Sequence, residues 1–337
     1  MEIKKTTQEE INATLWRAAD TFRGKIDSSL YKDYILVMLF IKYLSDVYLE
    51  HFEEYAEKYN NDEARIKRAL SRERFILDEK STFEYLYENR NASNIGEIIN
   101  KAESNKSKLR GVFRNIDFNS EVILGKTNDR NAILRTLLND FEALDLRPTH
   151  LEGNDVIGDA YEYMIAQFAS DAGKKGGEFF TPSMVSELLA RLVKPEENDR
   201  IYDPTCGSGS LLIRSFKKVP NGKAQIYGQE RNGQTQALCK MNMFLHGIDD
   251  AKIENGDTLS NPLHLEDGKL MKFQVVVANP PFSLDKWAMG FAGAEVEDKK
   301  FKMESSLDIY RRFDWGVPPS SKGDFAFIQH MLASLAE

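Results

Sequence analysis

Cysteine is scarce in this chain. Two residues in 337, Cys206 and Cys239, exclude a disulfide scaffold and argue for a reducing compartment. The five histidines show no metal-ligand spacing, so no metal centre is expected. Long apolar runs are also missing. The longest, Tyr34 to Leu44, is interrupted by Lys42 and is too short to span a bilayer. The opening Met-Glu-Ile-Lys-Lys lacks the pattern of a signal peptide, so a cytoplasmic location without membrane attachment is expected. There is no basic surplus. Residues 1–150 hold 24 Lys and Arg against 26 Asp and Glu, and residues 151–337 hold 21 against 27. Autonomous grip on a duplex relies on several Lys and Arg contacts to phosphate, so a nucleic-acid role needs a partner's help. Zinc-finger spacing and a basic zipper are both absent.

What is present is a chain with 42% apolar residues, enough for real cores, and a length that favours two domains. The first 150 residues read as an all-helical domain without chemistry of its own. Ile11, Leu15, Ala18, Ala19 and Phe22 keep helical spacing. Tyr31 to Phe52 reads as a longer apolar helix. Residues 61–100 read as helices with loops, Ser104 to Lys108 as a polar break, and Asn131 to Leu144 as a further helix. The boundary falls near Arg147-Pro148, and Asp155 to Ser170 reads as a bridging helix.

Beyond it lie four short strands, each ending in a polar residue. Arg200 to Tyr202 ends at Asp203. Ile226 onward ends at Glu230, Lys252 onward at Asp257, and Gln274 to Ala278 at Asn279. Open α/β sheets bind ligands outside the carboxyl ends of their strands, so four such residues in order point to one shared crevice. After Asp203 comes Pro-Thr-Cys-Gly-Ser-Gly-Ser, a small-residue loop leading into a helix near Leu211. Its glycines allow close backbone approach. The loop lacks both the GxGxxG spacing and the lysine of a phosphate-binding loop, and an acid ahead of it suits a ligand carrying an ammonium group. Cys206 in this loop reads as a small residue rather than a nucleophile. The distance to Glu230 suits an acid that takes ribose hydroxyls. Upstream, Gly-Gly-Glu-Phe-Phe-Thr-Pro-Ser spans 176–183; Thr181 or Ser183 is the candidate cap of a helix over Met184 to Leu192.

The stretch Val275-Val-Val-Ala-Asn279-Pro280-Pro281-Phe282 is the most informative. Two prolines cannot continue a ladder. The strand therefore stops and presents an amide, a free Pro280 carbonyl and a flat ring. Two acceptors and a stacking face suit an exocyclic amino group on a planar base, although a strand-ending turn with a packed Phe fits the tetrapeptide alone. After it, residues 283–322 hold Trp287, Phe291, Phe301, Tyr310, Phe313 and Trp315 with Lys299, Lys300, Lys302, Arg311 and Arg312. Such an insert is either a lid that meets an extruded nucleotide or a loop packed on its own aromatics.

Taken together, Glu178 to Pro182, Asp203 to Ser210 and Asn279 to Phe282 resemble the adenine-N6 DNA methyltransferases with the gamma order of motifs. More narrowly, with Asn255-Gly-Asp-Thr-Leu259, Gly323-Asp-Phe-Ala-Phe-Ile-Gln-His330 and the helical N-terminus, they resemble the modification subunits of type I restriction-modification systems. The resemblance covers essentially all of the chain. It implies an α/β chain: an all-helical domain over 1–150 that meets partner subunits and DNA, then a Rossmann-like, doubly wound methyltransferase domain over 151–337 that uses S-adenosyl-L-methionine (SAM). About seven strands belong to that fold and four can be placed, so the chain is expected to stop short of the C-terminal strands and helices. Carried over by position, Glu178, Phe179, Phe180, Thr181, Pro182 and Ser183, then Gly207, Ser208, Gly209 and Ser210, would line the cofactor. Glu230 would take the ribose, Asp203 would lie near the methionine end and Asp257 near the adenine. Asn279, Pro280, Pro281 and Phe282 would hold a target adenine flipped out of the duplex, with no metal needed. The implied partners are double-stranded DNA, a specificity subunit and a restriction endonuclease subunit, with two copies of this chain per complex. Two readings stay open beside it: methylation of a protein glutamine or an RNA base by the same kind of motif, and a non-catalytic SAM-sensing assembly subunit.

Overall fold

The computed structural model describes residues 4–102, 116–153, 155–171, 180–297, 300–319 and 321–337. The chain divides into two compact units. One holds residues 1–172 and 245–249, the other 173–244 and 250–337.

In the first unit, α1 (Gln8–Phe22) opens with a capping box in which the Thr7 side chain and Glu10 satisfy each other's backbone amides. Its buried face includes Ile11, Leu15, Ala18, Ala19 and Phe22, the residues whose spacing announces it. Helix α2 (Ser28–Lys58) is a single element of 31 residues, longer at both ends than its apolar run. Its middle, Ile35 to Phe40, is wholly buried. Lys42 is buried as well and donates to Asp46 one turn on, at 2.6 Å. Short helices α3 (Glu63–Leu70), α4 (Phe83–Glu88), α5 (Ile95–Ala102) and α6 (Glu121–Leu124) precede α7 (Thr127–Glu142), which packs on α1 and α2. Helix α8 (Val156–Asp171) packs on those same two helices, so the segment read as a bridge belongs by contact to the N-terminal unit. The expected polar break at 104–108 lies outside the described residues.

The second unit is built on one parallel sheet. Its strands are β1 (Arg200–Asp203), β2 (Gln225–Glu230), β3 (Lys252–Asn255) and, after a small hairpin of β4 (Leu265–Glu266) and β5 (Lys269–Leu270), β6 (Val275–Val276). The hairpin turns on Asp267-Gly268, both in the left-handed region, as a two-residue turn requires. The order is β3-β2-β1-β6. The chain thus steps outward from β1 through β2 to β3 and returns to the other side of β1. That reversal makes the carboxyl edge at β1 the place where such sheets bind ligands. Helices α10 (Ser210–Phe216) and α11 (Gly233–Leu245) make the crossovers from β1 to β2 and from β2 to β3, and α9 (Ser183–Val193), which precedes β1, packs on α10. The last strand is shorter than the expected Gln274 to Ala278: only Val275 and Val276 pair with β1, and the Val277 amide adds one bond to Tyr202. The prolines that follow supply no further donors.

The α9 cap differs from expectation. Pro182 occupies the cap position and no side chain caps the helix. The Ser186 hydroxyl instead turns back onto the Thr181 and Pro182 carbonyls. Three aromatics of the insert are packed in one core cluster. Trp287, Phe291 and Phe313 are buried with Leu259, Met303 and Phe327, alongside a hairpin of β7 (Glu295–Glu297) and β8 (Lys300–Lys302). Helix α12 (Asp324–Ser334) follows, and Phe273 bridges in parallel to Leu335 beyond it.

Candidate functional site

The small-residue loop after β1 is shaped by its neighbours. Cys206 donates its amide to Gln229, and Gly209 donates back to Cys206. Gly207 and Gly209 both sit at positive φ, where L side chains are strained. A β-carbon on Gly209 would fall 2.6 Å from Met243 and 2.8 Å from Cys239. One on Gly228 would fall 2.9 Å from Ile253 and 3.0 Å from the Cys206 sulfur, so the loop lies tight against β2. Cys206 is buried beside Cys239, and its thiol is pushed well up by the bond to that neighbour and by burial. A thiol so held is no nucleophile.

Acids collect at the carboxyl edge. Asp203 is buried and accepts from the Thr205 amide at 2.9 Å. Burial, helped by the nearby charge of Glu230 and opposed by Thr205, pushes its carboxyl up to about 7. Glu230 caps the loop: its two oxygens accept from the Gly207 amide at 3.1 Å and the Asn232 amide at 2.7 Å. Burial still raises its pKa against those bonds. Asp257 accepts from the amides of Leu259 and Ser260 and lies 3.5 Å from Arg231.

These elements surround a cleft of about 460 Å³, in the size range of small-molecule sites. Among the sequence-nominated residues it brings together Glu230, Asp257 and Pro281. Pro204, Thr205, Arg231, Asn232, Thr235, Gly256, Thr258, Leu284 and Phe327 complete its lining. Most are missed in the sequence, although Thr205, Asn232 and Thr258 each stand within two residues of a strand-end acid. Asp203, Gly207, Ser208, Gly209 and Ser210 are buried and are not part of that lining. Ser208 keeps a hydroxyl with no hydrogen-bond partner. Glu178 and Phe179 lie outside the described residues.

The turn after β6 stands next to this cleft through Pro281. The Asn279 amide nitrogen donates to the Thr181 hydroxyl at 3.3 Å, which links the Phe-Phe-Thr-Pro box to the Asn-Pro-Pro-Phe turn. With its nitrogen engaged, Asn279 presents its oxygen as an acceptor. Asn279, Pro280 and Phe180 are half-buried, Pro182 and Ser183 exposed. Phe282 is 81% exposed, so its ring is not packed in a core. Ser283 follows at positive φ, its amide held by Asp324 at 3.2 Å. One basic residue of the insert is not available to nucleic acid: Arg312 is buried and paired with Asp308.

Comparison with known proteins gives the same outline. The N-6 DNA methylase family profile matches residues 152–337, and that of the HsdM N-terminal domain matches residues 11–141. The chain is 34% identical to the type I restriction enzyme MpnII methylase subunit of Mycoplasma pneumoniae, over 100% of this chain and 68% of that protein. It is 32% identical to the MjaVIII methylase subunit of Methanocaldococcus jannaschii, over 97% of this chain and 55% of that protein. The methyltransferase subunit of a type I restriction-modification system from Streptococcus thermophilus superposes with a TM-score of 0.80 at 28% identity, covering 98% of this chain and 73% of that one. Among the described residues no helix is long and apolar enough to cross a membrane.

Proposed function

The chain belongs to the N-6 DNA methylase family, among the methylase subunits of type I restriction enzymes, and from that premise we propose that it transfers a methyl group from SAM to the N6 of an adenine flipped out of DNA. The target site is chosen by a specificity subunit, and the complex also serves a restriction subunit in the cytoplasm. The observation that carries this reading is that Pro281, inside the Asn-Pro-Pro-Phe turn, lines the same cleft as Glu230 and Asp257. Base pocket and cofactor pocket are then neighbours.

The donor set fits SAM. Glu230 lines the cleft, Asp203 is buried at the end of the neighbouring strand, and both carboxyls are raised in pKa. A cationic ligand relieves that cost. Glu230 keeps free lone pairs for ribose hydroxyls. When bound, SAM supplies an activated methyl group on a sulfonium. The chain supplies position and charge. Asn279 Oδ1 and the Pro280 carbonyl accept from the two N6 protons, draw the amine from planar towards tetrahedral and localise its lone pair. Thr181 holds the Asn279 amide in that orientation. Phe282 stacks on the base, its exposed ring facing no core.

Asn279→Ala tests the assignment. Its hydrogen bond matters mainly in the transition state, so its loss lowers kcat and leaves SAM affinity nearly unchanged. Normal methyl transfer to DNA by the mutant, in the complex with its specificity subunit, would remove Asn279 from the active site.

A further inference from the structure

We propose that Arg312, which lies outside every cofactor motif, is the positioning residue that fixes the wall of the cleft between β1 and the loop after β3; this rests on reading that cleft as the SAM site. Arg312 is 3% exposed. Asp308 neutralises it through Nε and Nη2, at 3.1 and 2.9 Å. Its guanidinium lies 5.3 to 5.7 Å from the ring centroids of Phe313, Tyr310 and Phe291. The remaining donors all leave the insert. Nη1 donates to the Thr258 carbonyl and to His330 Nδ1, each at 3.1 Å, and Nη2 donates to the Leu259 carbonyl.

Those two carbonyls belong to the turn that begins at Asp257. The Asp257 carboxylate gathers the amides of Leu259 and Ser260 from one side of that turn. Arg312 gathers its carbonyls from the other. The Thr258 hydroxyl then ties the turn to the Pro204 carbonyl at 2.6 Å. Pro204, Asp257 and Thr258 all line the cleft. His330 carries the same network to β1, with Nε2 3.1 Å from the Tyr202 hydroxyl. Burial and the Arg312 charge hold His330 well below its usual pKa, so it is neutral and Nδ1 accepts. One guanidinium therefore holds the Thr258-Leu259 turn directly and reaches the Tyr202 end of β1 through His330, while Thr258 ties that turn to Pro204. A lysine cannot do this, because a single ammonium cannot reach an acid, two carbonyls and an imidazole in a fixed fork.

The test measures SAM affinity by calorimetry on the full methylase subunit, with a thermal melt for each variant. Arg312→Lys keeps the charge opposite Asp308. It should weaken SAM binding roughly tenfold or more, the effect of one lost charge-assisted bond, at a temperature where the melt shows it folded. His330, which does not line the cleft, separates positioning from folding if Arg312→Lys unfolds. His330→Asn retains an acceptor near the Nδ1 position and should bind SAM nearly as wild type. His330→Leu, which takes one acceptor from Arg312 Nη1 and the imidazole partner from the Tyr202 hydroxyl, should weaken binding as Arg312→Lys does. Wild-type affinity in folded Arg312→Lys or in His330→Leu would overturn the inference and leave the cofactor reading standing. No SAM binding by the wild-type subunit would overturn both.

Discussion

Acidification should unload the cofactor, because Asp203 stays protonated up to about pH 7. Burial pushes its carboxyl to about 7, and the charge of Glu230 adds to the push. The ordinary carboxylate value is about 3.9. The folded pKa is thus raised above the unfolded one. The group's contribution to the ligand-free fold is fully present below about pH 4, and about 4 kcal/mol of it is lost as pH rises through about 7. A ligand bearing a sulfonium and an ammonium reverses that preference, since it favours the ionised acid. The ionised fraction falls as pH drops through about 7. If only the ionised form binds tightly, apparent affinity falls with it, severalfold within about one unit of pH below 7. An α-amino group of pKa about 7.7–8.0 loses part of its charge by about pH 7.5, which offsets only a small part of the rise. Calorimetry at pH 6.0, 6.5, 7.0 and 7.5, in two buffers of different ionisation enthalpy, reads both affinity and proton release. Affinity should rise with pH, with net proton release near pH 6.5. Asp203→Asn should bind weakly with a flat profile. Glu230→Gln should move the midpoint down, because it removes a charge that raises Asp203. A pH-independent dissociation constant in the wild type, or an unchanged slope in Asp203→Asn, would refute the argument.

Glu230→Ala should raise the SAM dissociation constant by about 10- to 100-fold, the range for losing charge-assisted bonds of about 1.5–3 kcal/mol; calorimetry giving wild-type affinity would remove Glu230 from the site. Lys42→Ala should destabilise the N-terminal helical unit by about 3–5 kcal/mol, because it strands the buried Asp46 carboxyl, already raised to about 6 mainly by burial. Chemical denaturation checks it, and combining Lys42→Ala with Asp46→Leu should recover most of the loss. The subunit alone should show little preference for a cognate duplex over a random one, since neither half has a basic surplus and base-edge contacts are needed for selectivity. Competition binding at fixed salt, with and without a specificity subunit, decides it, and strong cognate preference by the subunit alone would count against the division of labour.

What can be read from the sequence is what local chemistry encodes. Each strand of the parallel sheet ends at a polar stop and lies close to where the sequence puts it, although β3, Lys252-Ile-Glu-Asn255, has only one apolar residue. The face of α1 follows directly from its spacing because a helix repeats within its own sequence. The last strand is over-read because an apolar run shows burial but not pairing: Val277 adds one bond and Ala278 precedes the prolines. Thr181 illustrates a different gap. Its residue type suits a helix cap, yet Pro182 takes that position and the Thr181 hydroxyl meets Asn279, 98 residues away. Only the closing of the sheet brings those two together. The Asp267-Gly268 hairpin, by contrast, has a usable local signal in its Asp-Gly pair. Arg311 and Arg312 show the limit most sharply. They are adjacent and chemically identical, yet one side chain is 81% exposed and the other 1%. The only local cue is Asp308, four residues before Arg312. The same spacing marks Lys42 and Asp46, where a lysine that interrupts an apolar run is buried with its acid one turn away. Charge inside an apolar or aromatic stretch is therefore better read as a question about its partner than as a sign of exposure. The Arg312 donors are met by an acid, two carbonyls and an imidazole. At Arg312 the acid is local, but the carbonyls lie more than fifty residues away, on the loop that walls the cleft.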